Sequence, residues 1–187
     1  MPREIWTIGH SNRSLDELLD LLRTHAIEQL ADVRRFPASR AHPHFNREAL
    51  DASLAQADIA YEHFAALGGR RSKRPPDSPN VGWRVDAFNR YADYMATGDF
   101  AVGLEALVVI VEQMPTAIMC SEAVPWRCHR RLIADALIVR GWKVFDIISR
   151  APAKPHALTP FAKVVGDQLT YPAEQDLPMF DRPQDEL

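Results

Sequence analysis

Residues 4–33, EIWTIGHSNRSLDELLDLLRTHAIEQLADV, hold the reading on which the fold turns. Glu4 to Gly9 reads as a strand that ends in glycine, the usual entry to a turn. Ser14 and Glu17 then stand three positions apart, so the serine is placed at a helix N-cap and the glutamate closes a capping box. Leu15, Leu18, Leu19 and Leu22 follow at the spacing of one helical face. Ile27 to Val33 reads as a second strand. Strand, helix and strand within about thirty residues predict a right-handed parallel βαβ unit.

The same alternation continues outward from that unit. RRFPASRAHPHF (34–45) is too rich in proline and polar residues for regular structure. Asn46 is placed to cap a helix to about Ala57, and Ile59 to Phe64 forms a short strand. A long loop, LGGRRSKRPPDSPNVGW (67–83), comes next, and loops of this length inside a domain tend to be functional. Asp86 is expected to cap a helix with Phe88, Tyr91, Ala92 and Met95 on one face. A second helix runs from about Phe100 to Gln113. Thr116 to Cys120 reads as a buried strand, about Arg127 to Arg140 as a helix ended by Gly141, and Lys143 to Ile148 as a further strand. The fold class expected is α/β, a three-layer Rossmann-like domain whose mostly parallel sheet is flanked by helices. That domain spans residues 1–150. Residues 151–187 form a Pro-rich, acidic C-terminal extension.

Composition narrows the classes. The chain has 187 residues, 47% of them apolar, enough for one sizeable core. Its net charge of −3 gives no overall pull toward nucleic acid. The charge is uneven, however. Five acids against one base leave 174–187 at −4, so residues 1–173 carry about +1. Arg34, Arg35, Arg40, Arg47, Arg70, Arg71, Lys73, Arg74 and Arg84 form a basic middle region suited to phosphates. There is no signal-peptide pattern and no apolar run of membrane-spanning length. Two cysteines beside a histidine and several arginines suit reduced thiols and a cytoplasmic setting. Nothing in the sequence specifies an oligomer.

Ligands in open parallel sheets bind beyond the carboxyl ends of the strands. Three polar clusters fall there: His10 with Ser11, Asp32 with Arg34 and Arg35, and the segment CSEAVPWRCHRR from Cys120 to Arg131. Glu122, His129, Cys128, Asp32 and His10 are the catalytic candidates. A carboxylate or imidazole serves as acid or base, and a thiol as nucleophile. Ser11, Arg34, Arg35, Arg70, Arg130 and Cys120 are the substrate-binding candidates, since guanidinium forks match phosphate oxygens. If Cys128 and His129 lie in the first turn of a helix, its free N–H groups favour an anion and a thiolate. Bland readings stand beside these. Cys120 can be a small core residue, His129 a structural donor, and Arg130 the partner of Asp32 or Glu122.

A zinc site built on Cys120, Cys128 and His129, with His10 as a fourth ligand, is an alternative. Cys-x7-Cys-His lacks the short spacing common in zinc sites, and neighbouring residues on a helix diverge by about 100°. The expected site therefore holds no metal. No cofactor fingerprint is present, and Arg127 follows Cys120 by seven positions, not the six of a Cys-x5-Arg phosphatase loop.

Taken together, TIGHSNRS, DVRRFPASR, LGGRR, F-x-x-Y-A-x-Y-M and CSEAVPWRCHRRLIADAL resemble the domain of unknown function 488 family, from about Ile5 to Ile147. The resemblance implies an α/β domain with a polar site built from those loops. It carries over His10, Ser11, Asp32, Arg34, Arg35, Glu122, Cys128, His129 and Arg130. The expected function is an enzyme acting on a phosphate-bearing or nucleic-acid-derived substrate. The alternatives are a non-catalytic nucleotide- or nucleic-acid-binding module, a zinc- or thiol-based site, and a structural or interaction domain.

Overall fold

The capping box at Ser14 forms as the sequence predicts. The Glu17 amide donates to Ser14 Oγ at 3.2 Å, and the Glu17 carboxylate accepts the Ser14 amide at 2.6 Å. In this computed structural model, which describes residues 3–72 and 75–173, that helix is the first of five. Lys73, Arg74 and the acidic stretch 174–187 lie outside the described residues.

The elements in chain order are β1 (Glu4–Gly9), α1 (Leu15–Thr24), β2 (Gln29–Asp32), α2 (Arg47–Ala55), β3 (Ala60–His63), α3 (Asp86–Met95) and α4 (Gly98–Val111). They continue with β4 (Thr116–Cys120), α5 (Arg130–Val139), β5 (Lys143–Ile147), β6 (Lys154–Pro155), β7 (Lys163–Val165) and β8 (Gln168–Thr170). Six strands form one sheet in the order β3-β2-β4-β1-β5-β6. All pairings are parallel except β5 with β6. The strands β7 and β8 form a separate antiparallel pair.

Two apolar cores show the three layers. Leu18, Leu21 and Leu22 of α1 and Leu50 and Leu54 of α2 pack with Leu30, Ala117 and Met119 on one face. Helices α3, α4 and α5 pack with Ile5, Ala31, Ile118 and Cys120 on the other. Successive β4 residues serve opposite cores because strand side chains alternate. Every residue of β4 is buried, consistent with a central parallel strand covered on both sides.

This topology positions the site. The chain leaving β1 and β2 turns to the α1/α2 face, whereas the chain leaving β4 turns to the α5 face. Strand β4 lies between β1 and β2, so a crevice opens where their carboxyl ends part.

Some predicted boundaries shift. Asp86 is the first residue of α3, pairing with Arg90 one turn on, and Val85 holds the cap position. Asn46 is at the N-cap of α2, but its side chain accepts the Ser39 amide at 2.6 Å. Helix α5 begins only at Arg130. Pro125–Arg127 form a 3₁₀ turn, Cys128 is extended, and His129 is the cap residue.

The segment after β5 lies across the domain. Tyr171 is wholly buried in the α3/α4/α5 core, tilted against Trp83 and edge-on to Phe161. Its hydroxyl donates to Asp135 Oδ2 at 2.9 Å, and the Thr159 hydroxyl donates to the same oxygen at 2.6 Å. The Tyr171 amide donates to Asn80 Oδ1, and its carbonyl accepts the Gly82 amide.

Candidate functional site

The carboxyl ends of β1 and β4 are zipped past the sheet. The His10 amide donates to Cys120 O at 3.0 Å and the Ser11 amide to Ser121 O at 2.9 Å. Glycine is required at position 9, because a Cβ there would sit 1.7 Å from Glu122 O. Ser11 pays for the tight turn with a left-handed backbone, φ 51°. Arg70, on the facing loop, is also left-handed at φ 57°.

Beyond these ends lies a cavity of about 520 Å³. His10, Ser11, Arg34, Arg35, Arg70, Cys120, Glu122, Cys128 and His129 all line it, so nine of the eleven singled-out residues meet at one place. Asp32 and Arg130 do not line it.

The floor is the Cys120, Cys128 and His129 cluster. His129 Nδ1 lies 3.7 Å from each sulfur. His129 Nε2 is 2.9 Å from Val33 O, and a carbonyl only accepts. Nε2 therefore carries a proton, and in the neutral ring Nδ1 turns its lone pair toward the sulfurs. The extended Cys128 makes this convergence possible. The objection that adjacent residues diverge on a helix falls, because neither residue is inside one. The Cys120 thiol is pulled well below its usual value, first by the Cys128 sulfhydryl and then by His129 and Arg130, against the opposing effect of burial. Burial pushes the Cys128 thiol well up and the adjacent Cys120 adds to this, against the opposing effect of Arg130.

The expectation of free amides at the start of α5 is corrected. The Arg131 amide is taken by Cys128 O, and those of Leu132 and Ile133 by His129 O. The cations above the floor come from side chains instead: Arg34, Arg35, Arg70 and Arg127 against the single carboxylate of Glu122. Glu122 is exposed at the rim.

Arg34 is held from below. Its Nε lies 2.9 and 3.1 Å from the two Asp32 oxygens and its Nη2 2.5 Å from Oδ2. Tyr61 donates to Asp32 Oδ2 as well. Asp32, completely buried, is thus an anchor for Arg34 beneath the cavity, not a group that faces it. His10 Nδ1 is 2.9 Å from Ser11 O and its Nε2 3.3 Å from Arg34 Nη1. Both ring nitrogens are engaged, and burial lowers the ring's pKa to about 4, so His10 is neutral and braces Arg34.

The placement of Arg130 as a substrate-binding residue is also corrected. It is 0% exposed. Nη1 donates to Glu122 O at 2.6 Å, Nη2 to Ala123 O at 3.0 Å, and Nε to Thr7 Oγ1 at 3.4 Å. Neither Asp32 nor the Glu122 carboxylate is its partner. It pins the loop that brings Cys128 back to Cys120.

The sequence shows that Gly68-Gly69 permits close backbone approach but not that Gly69 lies against His129. A Cβ there would lie 2.9 Å from His129 Nδ1, so the loop covers the imidazole only because it lacks a side chain. The Gly68-Gly69 pair was the available signal. Tyr91 stacks edge-on against His129 and donates to Leu67 O at 2.6 Å, fixing that loop. Arg127, which lines the cavity, was not among the residues singled out for binding.

A family profile described as "Domain of unknown function DUF488" matches residues 14–137. The match includes every floor residue but ends short of His10 and Ser11. Comparison with curated proteins and with solved structures finds no match to the chain.

Proposed function

The chain belongs to the DUF488 family, whose description assigns no reaction, and from its own geometry we propose an enzyme acting on a phosphate-bearing, nucleotide-like substrate. One observation carries this reading. A sulfur–imidazole centre forms the floor of a cavity whose upper wall holds Arg34, Arg35, Arg70 and Arg127. Guanidinium groups bind phosphate oxygens in forked pairs. The anion is held by Arg35 and Arg70 from exposed loops and by Arg34, which Asp32 and His10 hold rigid. The reacting atom then rests over Cys120, the sulfur at the end of β4. Glu122 at the rim is the group placed to exchange a proton with solvent.

Two free, buried thiols fit a reducing compartment, so we place the protein in the cytoplasm. Among the described residues no single helix is long and apolar enough to cross a membrane.

Calorimetry with inorganic phosphate and with nucleoside mono- and diphosphates tests the reading. Binding is expected to weaken with salt and to fall at least tenfold in Arg70→Ala and Arg35→Ala. Turnover of the ligand so identified is expected to vanish in Cys120→Ser and to drop in Glu122→Gln. A wild-type protein that binds none of these ligands at millimolar concentration overturns it.

A second reading, a nucleic-acid-binding module, is favoured by two exposed aromatics beside cavity arginines. Phe36 (66% exposed) follows Arg35, and Trp126 (57% exposed) precedes Arg127. Bases stack on such rings. Short single-stranded oligonucleotides that bind tightly without turnover would favour it over the enzyme.

A further inference from the structure

We propose that Cys120, Cys128 and His129 bind one zinc ion through Sγ, Sγ and Nδ1, with the fourth coordination position open to the cavity.

Geometry is the first argument. The three donor atoms all lie within 4.8 Å of one another, and Nδ1 is 3.7 Å from each sulfur. A tetrahedral zinc with Zn–S of about 2.3 Å and Zn–N of about 2.0–2.1 Å sets an N···S edge of about 3.6 Å. The two N···S edges already stand at that spacing, and the S···S separation is within 4.8 Å.

The second argument is orientation. A ligating histidine characteristically gives its other ring N–H to a carbonyl, which fixes the tautomer and aims the lone pair. Val33 O does this for His129 at 2.9 Å.

The third argument is space. Gly69 passes so close to the imidazole that a Cβ would sit 2.9 Å from Nδ1. The absent side chain lets the loop lie on the ring face beside Nδ1 without displacing the imidazole, so the in-plane lone pair stays directed at the sulfurs. A disulfide between the two cysteines would leave this lone pair facing two sulfurs with no donor.

Donor chemistry selects the ion. Two thiolates and an imidazole suit zinc, whereas magnesium and calcium require oxygen ligands, which the cluster lacks. His10 is not the fourth ligand, because its nitrogens face Ser11 O and Arg34. Three protein ligands with an open position is the pattern of a catalytic zinc centre. An ion there activates a bound water or polarises an oxygen of the substrate. That consequence rests on the anion site proposed above; the metal site itself does not.

The test uses the full chain, stripped with a chelator and dialysed against zinc. One zinc per chain is expected by elemental analysis. Adding zinc is expected to protect both thiols from a thiol reagent, and cobalt(II) to give tetrahedral d–d bands with thiolate-to-cobalt charge transfer. Loss of an outer partner costs about 10–100-fold in metal affinity, so Cys128→Ser and His129→Gln are expected to lose at least about 100-fold. If those variants fail to fold, thiol protection in the wild type decides alone. No retained metal, or bound metal with both thiols still reactive, overturns the proposal. Phosphate binding by the stripped protein is measured separately, and its absence beside normal zinc uptake sinks only the anion reading.

Discussion

Replacing Arg130 by methionine removes a cation that is wholly enclosed and yet has no carboxylate partner among the described residues. Its two shortest bonds, 2.6 Å to Glu122 O and 3.0 Å to Ala123 O, are charge-assisted. Each such bond is worth about 1.5–3 kcal/mol. Methionine fills much of the volume and removes the cost of burying a guanidinium, which offsets part of the loss. It also leaves two loop carbonyls without their donors. Two bonds of that worth come to about 3–6 kcal/mol, of which about 3–5 kcal/mol is expected to remain after the offset. At roughly 2–4 °C per kcal/mol for a chain of this size, the melting temperature falls by about 6–20 °C. Arg130→Lys is expected to lose less, since one ammonium cannot bind both carbonyls in the same fork. Urea unfolding measures the loss, read from the midpoint at constant m-value. Zinc uptake by the folded variant reports whether the loop still returns Cys128 to Cys120. A methionine variant within about 1 kcal/mol of the parent, with zinc uptake intact, would refute the pinning role.

Three further outcomes are expected. Asp32→Asn leaves Arg34 enclosed without its counter-charge and is predicted to cost about 3–5 kcal/mol, measured by urea unfolding. It should also weaken phosphate binding, because Arg34 loses its fixed orientation. His10 titrates near 6.5 when unfolded and at about 4 when folded. The unfolded chain therefore binds the extra proton, and stability falls as pH drops from about 6.5 to about 4, by at most about 3.5 kcal/mol at about 1.4 kcal/mol per unit. His10→Gln, compared with the parent in the presence of chelator, should flatten that slope. Gly69→Ala pushes a methyl toward His129 Nδ1 and is expected to weaken zinc at least tenfold while both thiols remain reducible and countable.

The first βαβ unit was legible because its signals are local. A capping box and a leucine stripe act within one turn or one face, and both formed. The convergence of three strand ends was legible too, because parallel topology gathers those loops. The three arginines at 127, 130 and 131 show where the reading stopped. In sequence they are alike, yet Arg127 lines the cavity, Arg130 is enclosed under the loop, and Arg131 lies over the Trp83 ring at 5.2 Å. Only the late start of α5 sorts them, and that start depends on a proline turn and on long-range bonds to Glu122, Ala123 and Thr7. The same late start removed the geometric case against zinc. Asp32 stayed open between orienting an arginine and receiving a proton for a related reason: a carboxylate at a strand end points to a ligand or to its neighbour, and here it takes Arg34 and Tyr61.

The seating of Tyr171 has a consequence for biosynthesis. Its side chain completes the packing around Trp83, its backbone ties down Asn80 and Gly82, and its hydroxyl reaches Asp135. While the ribosome still holds residue 171 in its exit tunnel, α3, α4 and α5 have emerged with that core unsealed and the Asp135 carboxylate short of donors. Among the described residues the α1/α2 face contains none beyond Ala153 in its packing, and it can settle earlier. The two faces of one sheet would then mature in sequence, and the nascent chain would remain vulnerable on the α3–α5 side until residue 171 is free to dock.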